Sequence, residues 1–60
     1  MRKLPEYVDD LVEGYIKKNK LLRAEEIIIA HKQLGYDMSH LESMFHTYAV
    51  EYKYTPHLLK

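Results

Sequence analysis

Apolar residues recur at three- and four-residue intervals along nearly the whole chain, the interval of a helix rather than the strict alternation of a strand. Leu4, Tyr7, Val8, Leu11, Val12, Tyr15 and Ile16 form one such stripe, which places them on a single face of a helix. It predicts a helix over residues 5–18. Pro5 suits a first turn, where its missing N–H costs nothing, and Glu6, Asp9 and Asp10 suit the positive end of the helix dipole. At Lys18 and Asn19 the stripe stops and the next apolar set is rotated about the axis. Asn19 is able to take the left-handed conformation that ends helices. One long helix running through residue 34 is the alternative reading.

A second helix is predicted over residues 21–34, with Leu21, Ala24, Ile27, Ile28 and Leu34 on a face that Ile29 and Ala30 widen. A helix this apolar is central in its fold or shared with another chain. The three consecutive isoleucines favour a strand by their β-branching, but Arg23, Glu25, Glu26, Lys32 and Gln33 flank them without alternation. Gly35 closes the segment as a C′ residue. A third helix follows over residues 38–53. Asp37 caps it, with Tyr36 and Leu41 at the spacing of a hydrophobic staple; Ser39 and Glu42 offer a competing capping box two residues on. Met38, Leu41, Phe45, Tyr48, Ala49 and Tyr52 form its seam, with Met44 at the edge. Residues 54–60 form a tail around Pro56, whose Leu58 and Leu59 either dock on a neighbour or fray.

The fold class expected is therefore all-α, one domain over residues 1–60: a small three-helix bundle or helical hairpin, completed by homodimerisation. Size argues for the second chain. A domain of about 60 residues buries only about 60% of the surface its unfolded chain exposes, and small domains add disulfides, metal or a partner. The chain has no cysteine, which removes disulfides and thiolate zinc sites. Its longest apolar run, Ile27 to Ala30, falls far short of the ~20 residues of a membrane helix, and acids interrupt the start where a secretory signal would be apolar. A cytoplasmic protein is the expectation. Nine basic and nine acidic residues cancel without segregating, so no domain-wide field draws the chain to nucleic acid or an anionic membrane.

Six tyrosines in 60 residues are more amphipathic rings than so small a core hides, and such rings are enriched at interfaces. Tyr36, Met44, Tyr48, Tyr52 and Tyr54 are the expected partner-binding residues. Met38, Met44, Phe45, Tyr48 and Tyr52 at helical spacing also make an ordinary core stripe. The expected function is that of a small non-enzymatic regulator, an inhibitor or adaptor that binds another protein through this face.

Candidate chemistry is sparse. His31, His40, His46 and His57 lack the i, i+4 pairing that sets two imidazoles side by side, although Glu42 and His46 have that spacing. No metal or other cofactor is expected, because a closed structural site takes four ligands. Ser39 and Ser43 lie near His40 and His46, but no buried acid is placed to orient a histidine base, so nucleophilic catalysis finds no support. The run Ala30 to Gly35 resembles histidine phosphotransfer domains, with a glycine four residues after His31, but Gln33 stands at a hydrophobic position and the lysine is displaced. That resemblance implies an exposed phosphorylatable His31. Leu34, Gly35, Leu41 and Met44 match the spacing of a DNA-binding helix-turn-helix over residues 21–53, the second functional reading. His31 stands where a small residue is expected, and the recognition helix has no Arg or Lys before Lys53, whereas typical binders make ~6–10 phosphate contacts. Met1 to Leu4 and Leu11 to Lys17 resemble the start and first helix of the Sda family, helical-hairpin inhibitors of sporulation histidine kinases, with a spacing different by two residues and no match in the second half. This resemblance implies a regulator that docks on an enzyme.

Overall fold

The computed structural model describes residues 2–59. Met1, first in the Sda-like start, and Lys60, last in the tail, lie outside the described residues. Three helices follow one another: α1 (Glu6–Lys17), α2 (Leu21–Gln33) and α3 (Ser39–Glu51). Each packs against both of the others. The all-α architecture is the one the periodicity predicts, in its three-helix form rather than as a hairpin.

The helices stop where the backbone inverts. Asn19, Gly35 and Lys53 adopt positive φ of 60°, 91° and 56°. At each site the residue after the inversion donates its N–H five residues back: Lys20 to Tyr15, Tyr36 to His31, and Tyr54 to Ala49, over 2.8, 3.1 and 2.8 Å. The inverted residue itself donates three residues back, to Ile16, Lys32 and Val50. These paired bonds are Schellman motifs, which satisfy carbonyls that a helix end leaves open. Asn19 therefore separates α1 from α2, and the single long helix is not formed. At the start of α3, Asp37 Oδ1 accepts from the Ser39 N–H at 3.2 Å and the Ser39 hydroxyl at 2.7 Å. The capping box is not made: Ser39 Oγ is spent on Asp37, the Glu42 N–H goes to the Met38 carbonyl, and Glu42 pairs with Lys32 Nζ at 2.9 Å.

The core is built from Val8, Val12 and Ile16 of α1, Leu21, Ala24 and Ile28 of α2, and Met38, Leu41, Phe45 and Ala49 at and along α3. Leu59 closes it from the tail, 7% exposed, while Leu58 stays half open. The tail thus docks on its own chain rather than fraying. Both ends are tied down. The Arg2 N–H donates to the Gly35 carbonyl and the Asp37 N–H to the Arg2 carbonyl, each at 2.9 Å, and the Arg2 guanidinium lies 5.5 Å from the centre of the Tyr36 ring. Two positions of the predicted apolar face of α2 are not core. Leu34 falls beyond the last turn of α2 and is 63% exposed, and Ala30 faces solvent.

Candidate functional site

Glu25 is the one charged residue sealed in the core among the described residues, at 0% exposure. It stands one turn after Leu21 and three residues before Ile28, on the face that meets the other helices. Its carboxylate organises the tail. Oε2 accepts the backbone N–H groups of His57, Leu58 and Leu59 at 2.9, 2.6 and 2.9 Å, and Oε1 accepts the Tyr54 hydroxyl. Burial by itself pushes the carboxyl pKa up, but the Tyr54 hydroxyl and the three N–H groups outweigh it and hold the pKa below the ordinary 4.5. The same contact, with burial first and then the hydrogen bond and charge of Glu25, pushes the Tyr54 phenol up to about 12. The Tyr54 ring meets Phe45 and His57 edge-on, at centroid distances of 6.1 and 5.7 Å.

This clasp changes the meaning of the five expected partner-binding residues. Tyr54 is half-buried and committed to Glu25. Tyr36 is half-buried between the Arg2 guanidinium and the His31 ring, 5.4 Å away. Met44 and Tyr48 pack against the core, and Tyr52, at 36% exposure, donates its hydroxyl to the Lys17 carbonyl at 3.1 Å. Tyr36 and Tyr54 flank opposite ends of a 13-residue helix, about 20 Å apart at 1.5 Å per residue. Between them Met44, Tyr48 and Tyr52 follow one another at one-turn spacing, with the Tyr48 and Tyr52 rings 5.9 Å apart.

A pair of exposed apolar side chains lies elsewhere, on the outer side of α1. Tyr7 is 76% exposed and Leu11, one turn on, 47%. The next turn brings Gly14, where an added Cβ would meet nothing within 4 Å. A shallow groove of about 230 Å³ runs there, lined by Asp10, Leu11, Gly14, Tyr15, Lys18 and Lys20. The predicted α1 stripe is therefore wider than the core it serves. Val8, Val12 and Ile16 are buried, Leu4 and Tyr15 are half-covered, and the Tyr7–Leu11 edge faces out. The signal was present in the chain, because six apolar residues on one short helix exceed what two neighbouring helices cover.

His31 is half-buried with Nδ1 2.9 Å from the Ile27 carbonyl, to which it donates, so it lacks the free exposed imidazole implied by the phosphotransfer resemblance. The exposed side of α3 presents Ser39, His40, Ser43, His46 and Thr47, with the Thr47 hydroxyl turned back to the Ser43 carbonyl at 3.1 Å. Asp9 and Glu13 of α1 converge with His40 of α3, their donor atoms within 4.8 Å of one another. No helix among the described residues is long and apolar enough to cross a membrane. No protein-family model, curated protein or solved structure matches this chain.

Proposed function

We propose that this chain is a small non-enzymatic regulator that docks on another protein through the outer face of α1. The observation that carries the reading is the Tyr7–Leu11–Gly14 ridge and groove: a large aromatic and an aliphatic side chain left open one turn apart, beside a glycine that the fold does not require. Glycine inside a helix is about 1 kcal/mol less favourable than alanine, so its place on an outer turn makes sense if another backbone or side chain approaches there. Asp10, Lys18 and Lys20 border the groove with both signs of charge, the polar rim that surrounds an apolar interface centre. Aromatic anchors in such positions dominate binding energy. The partner-binding surface proposed is α1, rather than the residues Tyr36, Met44, Tyr48, Tyr52 and Tyr54 expected from the sequence. The homodimer suggested by chain length belongs to the same proposal, as self-pairing of this face when the partner is missing.

A photocrosslinking amino acid at position 11, compared with one at Val50, tests the reading. Val50 is 80% exposed and stands alone on α3, so it controls for mere stickiness. One discrete adduct is expected from position 11 and none from position 50, with Tyr7→Ala abolishing the adduct. Equal labelling at both positions would overturn the proposal. So would steeply salt-dependent retention on duplex DNA with no protein adduct, which is the behaviour of the helix-turn-helix alternative.

A further inference from the structure

On the flank of α1 away from the Tyr7–Leu11 ridge, the fold assembles three groups that the order of the chain keeps apart. Asp9 and Glu13 are one turn apart on α1, and His40 enters from the first turn of α3. One donor atom from each lies within 4.8 Å of the others. The Asp9 Oδ1 atom itself is shut off from solvent and has no hydrogen-bond partner, while the Asp9 side chain as a whole is 34% exposed. His40 Nε2 stands 3.9 Å away, beyond hydrogen-bond range. A sequestered carboxylate oxygen without a donor is costly and rare, and the two acids facing one another on α1 make it more so. A cation bound by all three groups would satisfy that oxygen and offset the repulsion.

We infer that Asp9, Glu13 and His40 form a binding site for a divalent transition-metal ion, with zinc as the best fit. One imidazole nitrogen and two carboxylate oxygens are ligands of intermediate hardness, suited to Zn²⁺ and its neighbours rather than to Cu(I) or a thiolate-bound cluster. Bonds to such an ion are ~2.0–2.2 Å long, so the donors must draw in by less than about 1 Å from where they stand. His40 is free to do so, its side chain being 65% exposed. Three protein ligands would leave a further position to water, and Asp9 and His40 border a hollow shared with Arg2, Lys3, Leu4 and Asp37. Arg2 and Lys3 oppose a cation there; the Arg2 guanidinium is turned onto the Tyr36 ring, and Asp37 adds a negative charge to the same hollow. Bound metal would pin α1 to the start of α3, a cross-link of the kind that chains this short obtain from disulfides or metal. The inference stands apart from the α1 docking face, which uses none of these residues.

The test is titration of the full chain with zinc chloride, followed by calorimetry and by amide and imidazole NMR. Binding of one ion per chain is expected, with shifts centred on Asp9, Glu13 and His40 and a higher thermal midpoint. His40→Ala and Asp9→Asn are each expected to weaken zinc at least ~tenfold, since even outer-shell changes cost 10–100-fold. His46→Ala, on the exposed side of the same helix, is expected to leave affinity unchanged. His40 and His46 are exposed and Asp9 is half-buried, and circular dichroism confirms that each variant is folded before titration. Absence of shifts at the three residues up to millimolar zinc, or wild-type affinity in folded His40→Ala, would overturn the site.

Discussion

Glu25 shows how one side chain decides the state of a whole segment. Its carboxylate takes three backbone N–H groups and a phenol that would otherwise be stranded as the tail covers the core. Glu25→Ala is expected to lower stability by about 3 kcal/mol, from a cost of ~1–3 kcal/mol per orphaned buried donor, reduced because a released tail reaches water. Urea denaturation measures it, and a change near zero would show the clasp to be idle. The pH dependence follows from the directions of the two pKa shifts. The Glu25 carboxyl is more acidic folded than unfolded, so its contribution is complete above the ordinary 4.5 and is lost as the pH falls through the lower folded value. Tyr54 is raised from 10.0 to about 12, so its contribution is complete below pH 10 and is lost as the pH climbs toward 12. Unfolding free energy measured against pH should therefore decline at both extremes, and Glu25→Gln should flatten the acid side. Tyr54→Ala acts on the same clasp. That change removes a ring from Phe45 and a donor from Glu25, so it reads out folding before it reads out partner binding.

Among the elements, the helix ends were the most legible. Asn19 and Gly35 are residue types that accept positive φ, and both take it. Lys53 was not legible, because nothing about lysine announces an inversion; the tail's need to turn back onto α2 imposes it. A non-glycine residue in the left-handed region is less favourable by about 1–2 kcal/mol, so Lys53→Gly is expected to stabilise the protein by about 1 kcal/mol, visible as a higher denaturation midpoint. Gly14→Ala separates stability from binding. With open space around the added methyl and better helix propensity, it is expected to stabilise α1 by about 1 kcal/mol. On the proposed docking surface it should at the same time weaken the partner complex. A stabilised variant with unchanged affinity would show that nothing approaches Gly14.

For the whole molecule, the consequence is a core closed by one chain beside an apolar ridge that the chain leaves open. The three helices and Leu59 bury one another, so a second copy would extend the hydrophobic contact rather than supply a missing wall. Self-association through Tyr7 and Leu11 is accordingly expected to be weak and to vanish in Leu11→Ser. Sedimentation over a concentration series follows it. Retention of the same dimer in that variant would place the self-contact on another surface.

Local chemistry determined the helices, their order, their approximate ends and most of the core, because a 3.6-residue period and the residues that tolerate inverted backbone act within a few positions of themselves. Only the tertiary structure decided which edge of an over-wide stripe is covered. It also decided that Glu25 meets a tail more than thirty residues away and that Asp9 and Glu13 meet His40. Those outcomes depend on how three cylinders cross and where the tail crosses them, and the packing of distant segments is written in no local pattern.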